Sequence, residues 1–143
     1  NREEQHRLVD GGVVATNPGL CAFSEAQTLY PGREILLVSL GVGILNRPIR
    51  FQKAKKWGLF EWAAPLIGCF FDGMSDAVDH HLSLLLPDSQ QGRCYYRFQT
   101  ELDKALDDMD NTTPANIQEL EAEAADILTD QAAELAELCQ RLK

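Results

Sequence analysis

The sequence predicts an α/β fold built on a mainly parallel sheet with helices on both faces. Three observations predict it. Ile35-Leu36-Leu37-Val38-Ser39-Leu40 is a continuous apolar run with a single Ser, bounded by turn residues, as in a strand covered on both faces. An amphipathic segment precedes it, and a short apolar run over residues 7–9 precedes that, so strand, helix and strand follow one another as a βαβ unit. Cys94-Tyr95-Tyr96-Arg97-Phe98-Gln99 is rich in aromatic residues and reads as a further strand.

Each element follows from local chemistry. Residues 7–9 read as a strand end entering the Gly11-Gly12 turn, where glycine permits a tight exit. Asn17 fits a helix N-cap and Pro18 the first helical position. Leu20, Phe23, Ala26, Leu29 and Tyr30 recur at helical spacing, and Pro31-Gly32 stops the helix over 18–30. Gly41-Val42-Gly43 ends the 35–40 strand. Trp57 to Phe71 is dense in apolar residues but interrupted by Pro65 and Gly68, so one or two short helices are expected. Residues 75–86 form another helical pattern, ended by Pro87-Asp88. Thr113 and Pro114 open a long helical tail, with a break near Thr129-Asp130. Its apolar set is Ile117, Leu120, Ala124, Leu128, Ala132, Leu135, Leu138 and Leu142. No internal repeat, low-complexity linker or domain boundary is visible.

Composition excludes several function classes. The 143 residues carry 22 acids against 13 bases, a formal net charge of −9, which argues against nucleic acid as a partner. It also weakens a reading as an electrostatic binder of anionic membranes. Acids crowd residues 101–137, where Lys104 is the only base. Arg47, Arg50, Lys53, Lys55 and Lys56 instead form a short basic patch, the one anion-facing segment, with a solvated loop as the plainer reading. Cys21, Cys69, Cys94 and Cys139 are far apart, so structural zinc is not indicated, and reduced, mostly buried thiols are expected. No apolar run reaches the length of a bilayer span.

The residue that draws attention as a chemical group is Asp10. A carboxylate on a Gly-Gly turn can serve as a general base, but Asp-Gly is also a common turn former, cap neighbour or ion-pair partner. A base needs a nucleophile, and no Gly-x-Ser-x-Gly elbow occurs. Ser24 falls in a predicted helix and Ser39 in a predicted strand. Ser75, Ser83 and Ser89 lack flanking glycines. His80 and His81 are adjacent, so on a helix they diverge by about 100°. Metal binding with Asp76 and Asp79 is weaker than an ordinary surface or core role. His6, four residues before Asp10, would need a serine and a suitable fold to act. Trp57, Phe60, Trp62, Phe70 and Phe71 could line an acyl groove or touch a bilayer, with core packing the simpler reading. The acidic tail helix could carry a partner-binding face, or be a surface helix with one buried stripe.

Five blocks in order resemble the patatin-like lipid acyl hydrolases. Asp10-Gly11-Gly12 with Asn17-Pro18 is similar to the dyad-aspartate block and the helix after it. Ser39-Leu40-Gly41-Val42-Gly43 is similar to the family's Ser-Leu-Gly-Thr-Gly strand end. Trp57-Gly58-Leu59 leading to Asp79-His80-His81-Leu82 resembles its Trp-Gly segment and Asp-Tyr-His-like helix. Tyr95-Tyr96-Arg97-Phe98-Gln99 resembles its Tyr-x-Arg-Ile-Gln strand. Met109-Asp110, then Asn116-Ile117 and Leu120, resembles its Met-Asp-Asp block. Val42 stands where Thr is usual and His80 where Tyr is common.

The resemblance implies the C-terminal portion of a three-layer α/β/α patatin domain, spanning 1–143. It implies a Ser–Asp dyad in which Asp10 is the catalytic base and Gly11 and Gly12 form its positioning turn. The nucleophilic serine and the glycine-rich oxyanion loop would belong to the N-terminal half of the same protein, so these residues alone are expected to be inactive. It implies acyl-ester lipid substrates met at a membrane surface, no metal or organic cofactor, no nucleic acid, and a cytoplasmic or peripheral membrane location. The alternative is a non-catalytic scaffold that binds lipid or a protein partner.

Overall fold

The computed structural model describes residues 8–143 except Arg47, Asp107 and Met109, together with all side chains of that range but Ala64. Helices α1 (Gly19–Leu29), α2 (Phe51–Ala54), α3 (Leu59–Leu85), α4 (Pro114–Asp130) and α5 (Ala132–Arg141) accompany strands β1 (Leu37–Leu40) and β2 (Tyr95–Phe98). The fold is α/β, and its two strands pair in parallel with Leu37 opposite Tyr95 and Leu40 opposite Phe98. The chain forms two compact units. The first runs to Ile35 and resumes over Trp57–Leu86; the second comprises Leu36–Lys56 and Pro87–Lys143.

In the first unit α1 packs against α3. α1 starts one residue later than expected: Pro18, not Asn17, is its N-cap, and Asn17 just before it accepts the Gly19 amide through Oδ1 at 3.0 Å. Phe23, Leu82 and Leu86 are buried here. Gly19 lies so close to α3 that a Cβ would fall 2.7 Å from Leu82 Cδ1. The expected interruption at Pro65 does not occur. Residues 59–85 form one helix of 27 residues with Pro65 inside it. A proline there removes one amide donor, but about five and a half further turns follow in which the ladder recovers. Glu61 Oε2 accepts the Gly58 amide at 3.0 Å and secures the helix start.

The strand expected at 7–9 is not found over its described part. Leu8 and Val9 are irregular and 88% and 81% exposed, and among the described residues no strand lies beside them to complete a ladder. The parallel crossover is therefore β1 to β2, not 7–9 to β1.

The second unit holds the sheet. Successive side chains alternate across a strand. In this register Leu37, Ser39, Tyr95 and Arg97 share one face, and Val38, Leu40, Tyr96 and Phe98 the other. Tyr96, Phe98 and Leu138 form the core, with Leu36, Ile127 and Leu135 against them. The two rings stack at 6.4 Å with 10° between planes. β2 is thus buried on both faces. β1 departs from that expectation: Val38 and Leu40 are 37% and 73% exposed, because α4 and α5 cover β2 rather than its neighbour.

Two further expectations are corrected. Cys94 is buried, but Cys21, Cys69 and Cys139 are exposed free thiols. The helical tail breaks at Gln131, one residue past the expected place; α5 keeps the expected stripe, with Leu138 buried and Leu135 against it, but the buried face of α4 is out of phase with it. Ile117 and Leu128 are exposed, whereas Asn116 and Glu123 are buried. These two polar side chains hold the preceding loop, and that requirement overrides the apolar period.

Candidate functional site

Asp10 lies just before a single 3-10 turn, Gly11–Val13. Its Oδ1 accepts the Gly12 amide at 2.7 Å, and its carbonyl accepts the Val13 amide at 3.2 Å. The aspartate therefore caps the turn it opens. Thr16 Oγ1 donates to the Gly12 carbonyl at 3.1 Å and closes the turn from the far side. Gly12 is needed for closeness, since a Cβ there would stand 3.1 Å from Asp10 Oδ1. Gly11 has open space around its missing Cβ.

Only one oxygen of the carboxylate is used in the cap. Among the described residues Asp10 has no serine hydroxyl hydrogen-bonded to it; its side-chain partner is the Gly12 amide. The carboxylate is exposed. The residues carried to the site by the sequence, Asp10, Gly11 and Gly12, are thus brought together as one turn. His6 lies outside the described residues, as do Arg7 of the expected strand and Met109 of the block before α4.

Three of the five serines have their hydroxyls engaged elsewhere. Ser39 is buried and accepts from Arg97 Nη1 at 2.7 Å, across the strand pair that sets them opposite each other. Ser83 Oγ donates to the His80 carbonyl, and Ser89 Oγ to the Gly92 carbonyl. His80 and His81 are exposed, and His81 Nδ1 contacts the Ala77 carbonyl of its own helix. The expected core role of the 57–71 aromatics fails for several of them. Trp57 and Trp62 meet edge to face at 5.0 Å, but Phe60 and Phe70 are 91% and 66% exposed.

Several positioning residues escaped the sequence reading. Past β1 the ladder continues through Gly41, whose amide donates to the Phe98 carbonyl, and Ile44, which bridges to Glu101. Between them Gln99 Oε1 accepts the Gly43 amide at 2.8 Å. A Cβ on Gly41 would fall 2.3 Å from the Gln99 side chain; one on Gly43 would fall 2.5 Å from Leu102, at a φ of +96°. Both glycines are required by the close approach of the 98–102 segment. Gln131, at the α4–α5 break, donates from Nε2 to the Gln99 carbonyl at 2.9 Å.

The loop after β2 is clamped from α4. Glu123 Oε1 accepts the amides of Asp103, Lys104 and Ala105 at 2.9, 2.7 and 3.2 Å. The Lys104 amide leads the other two in holding this carboxyl below the usual glutamate range, against the opposing effect of burial. Asn116 accepts the Leu106 amide at 2.8 Å and donates to the Leu106 and Asn111 carbonyls. Behind β2, Tyr96 donates to Glu137 at 2.9 Å, and burial, with that bond second, pushes its phenol up. The run of acids in the tail hid Glu123, because nothing in composition separates it from its solvated neighbours.

Among the described residues no helix is long and apolar enough to cross a membrane, and no cluster of three or more His, Cys, Asp or Glu side chains is placed to hold a metal ion.

The chain is similar to named plant proteins. It is 30% identical over 139 residues to "Patatin-like protein 2" of Oryza sativa subsp. indica, covering 81% of this chain and 34% of that protein. It is 32% identical over 142 residues to "Phospholipase A I" of Arabidopsis thaliana, covering 97% of this chain and 10% of that protein. It is 29% identical over 107 residues to "Probable inactive patatin-3-Kuras 1" of Solanum tuberosum, covering 64% of this chain and 29% of that protein. The chain thus spans about a third of the length of the patatin-like relatives it matches. No family model matches it, and no solved structure matches it significantly.

Proposed function

We propose that this chain, which is related to the patatin-like phospholipase family over most of its length, supplies the base of a Ser–Asp dyad in a serine lipid acyl hydrolase. The observation that carries the reading is the state of the Asp10 carboxylate. Gly12 N–H holds one oxygen at 2.7 Å, and the side chain is exposed. A carboxylate oriented through Oδ1 keeps Oδ2 for a proton. The nucleophilic serine and the oxyanion donors come from the rest of the protein in this reading, and 1–143 is the C-terminal part of one domain.

The chemistry is acyl transfer. Serine Oγ attacks the ester carbonyl carbon of an acyl lipid while its proton passes to Asp10 Oδ2. The C–O bond to the leaving alcohol breaks, and the proton held on Asp10 goes to that alcohol. Water then attacks the acyl-serine carbonyl carbon, giving its proton to Asp10; the bond from that carbon to serine Oγ breaks, the proton on Asp10 passes to Oγ, and the fatty acid leaves with serine and Asp10 restored. Backbone amides around the tetrahedral oxygen stabilise each transition state by about 3–4 kcal/mol per donor. Neither a metal nor an organic cofactor enters this cycle. A lipid substrate puts the enzyme at a membrane surface, in keeping with a cytoplasmic or peripheral membrane location.

A second reading has its own observation. No serine of the described residues is bonded to Asp10, and a relative bears an inactive name. The chain is then a scaffold that binds lipid or a protein partner without turnover.

The test is Asp10→Asn in the full-length protein, assayed on phospholipid vesicles and on a p-nitrophenyl ester. The amide keeps the shape but cannot take the proton. A loss of about 10²–10⁴ in kcat with an unchanged melting curve is expected for removal of a general base. Activity within a few-fold of wild type would remove Asp10 from catalysis. A wild-type protein without turnover would establish the scaffold reading.

A further inference from the structure

The acidic chain contains one stretch that its proposed chemistry does not use. Between Glu34 and Glu61 there is no Asp or Glu, and the bases of that stretch are Arg47, Arg50, Lys53, Lys55 and Lys56. Arg47 lies outside the described residues; the other four are exposed. No carboxylate of the described residues pairs with them. Helix α2 gives them an orientation. Its Ala54 is buried, 8% exposed. Lys53 lies within the helix, about 100° from Ala54, and Lys55 and Lys56 lie in the turn that follows it. Phe51, in the same turn, is 75% exposed, and Ile49 before it is 37% exposed.

We infer that residues 49–56 are a docking patch for an anionic lipid surface, with Lys53, Lys55 and Lys56 on the headgroups and Phe51 in the interface. Charge complementarity argues for an anionic partner. The exposed ring set among the lysines argues for a bilayer, since an aromatic side chain gains from the boundary between headgroup and acyl chain. Phosphates of a nucleic acid would be met by the lysines alone and leave Phe51 in water. The choice of lipid rests on the family reading above, whereas the binding itself needs no catalysis. The patch also resolves a conflict in the charge balance. A net charge of −9 repels an anionic leaflet as a whole. A Debye length near 8 Å at physiological salt lets a local cationic face act on its own.

Flotation of the full-length protein with phosphatidylcholine vesicles, and with equimolar phosphatidylcholine and phosphatidylserine vesicles, tests this. Wild type should prefer the anionic vesicles, and high salt should weaken that preference. Lys53→Gln, Lys55→Gln and Lys56→Gln together should lower partitioning to anionic vesicles roughly a hundredfold, at about fivefold for each charge near the surface. Arginine at the same three positions should retain binding. Phe51→Ser should reduce binding in a manner that salt does not restore. All four side chains are exposed, so the melting curves should match wild type.

Equal binding of wild type to both vesicle types, or anionic binding unchanged in the triple variant, would overturn the patch. So would tighter binding to a DNA duplex than to anionic vesicles. Hydrolysis of a soluble p-nitrophenyl ester separates the two readings. A variant that loses vesicle binding but keeps that hydrolysis supports the patch. Vesicle binding by a wild type that hydrolyses nothing leaves the patch standing and removes the enzyme.

Discussion

Glu123 Oε1 stands 2.7 Å from the amide of Lys104, nineteen residues earlier in the chain, and takes the neighbouring amides of Asp103 and Ala105 as well. A buried carboxylate on α4 thus replaces water for a loop that has no ladder of its own. Asn116, two turns earlier on the same helix, does the same for Leu106 and Asn111. The loop between β2 and α4 is held by its following helix.

That relationship predicts an acid-sensitive unit. The carboxyl of Glu123 is held below the usual glutamate value by these amides, the Lys104 amide first. A folded-state pKa below the unfolded one contributes stability that is fully present above the unfolded value and is lost as pH falls through the folded value. The melting temperature of wild type should therefore drop as pH is taken from neutral through and below the ordinary carboxylate range. Glu123→Gln should be less stable at neutral pH, because an amide oxygen is a poorer acceptor than a carboxylate. Its melting temperature should fall less steeply with acid. Parallel slopes for the two proteins would show that Glu123 does not carry the linkage.

The glycines after β1 give a graded pair. Gly43→Ala puts a Cβ 2.5 Å from Leu102 at a φ of +96°. The backbone term alone costs about 1–2 kcal/mol, before any clash. Gly41→Ala meets only the end of the Gln99 side chain, at 2.3 Å, and Gln99 can move if it gives up the Gly43 amide. Urea unfolding should rank Gly43→Ala as the worse. Gln99→Ala should relieve Gly41→Ala and leave Gly43→Ala unimproved, a coupling that a double-mutant cycle reads directly.

Ser39 is satisfied by Arg97 across the strand pair and is buried. Ser39→Ala should cost about 1–3 kcal/mol by leaving a charged donor without its partner. It should leave kcat for ester hydrolysis by the full-length protein within a few-fold of wild type. Loss of turnover in a folded Ser39→Ala protein would place the nucleophile on β1.

Much of this architecture is legible from local chemistry. Asn17-Pro18 marks the start of α1, and the aromatic run marks β2. Thr113-Pro114 marks α4, although Thr113 Oγ1 donates to Asn111 and leaves the helix amides uncapped. What escapes reading depends on partners distant in sequence. Leu8 and Val9 have a strand-like composition but no strand among the described residues to pair with. Leu37 and Leu40 are equally apolar, yet Leu37 is buried and Leu40 open because they lie on opposite faces of β1 and the face of Val38 and Leu40 is left exposed there. The phase of α4 follows Asn116 and Glu123, whose burial only the clamped loop explains. For Asp10 the turn is legible and a nucleophile is not, since the dyad partner proposed for it is not among these residues.

The last prediction concerns the isolated chain of 143 residues. A parallel pair of strands leaves open edges on both sides, and two strands alone are marginal in water. Leu40 is 73% exposed on β1, and Phe60 and Phe70 are 91% and 66% exposed on α3. Apolar surface of this kind drives self-association, and so do unpaired strand edges. The chain expressed alone should therefore be oligomeric or prone to aggregate by light scattering, and should hydrolyse no p-nitrophenyl ester. Co-expression with the remainder of the protein should give a monodisperse particle if that remainder supplies the missing strands. A monomeric chain with one sharp, cooperative melt would show that the exposed faces need no cover. The proposal that Asp10 awaits a serine from elsewhere in the same domain would then lose its architectural support. Ester turnover by that monomer, abolished by Asp10→Ala, would move the nucleophile to a serine already within the chain.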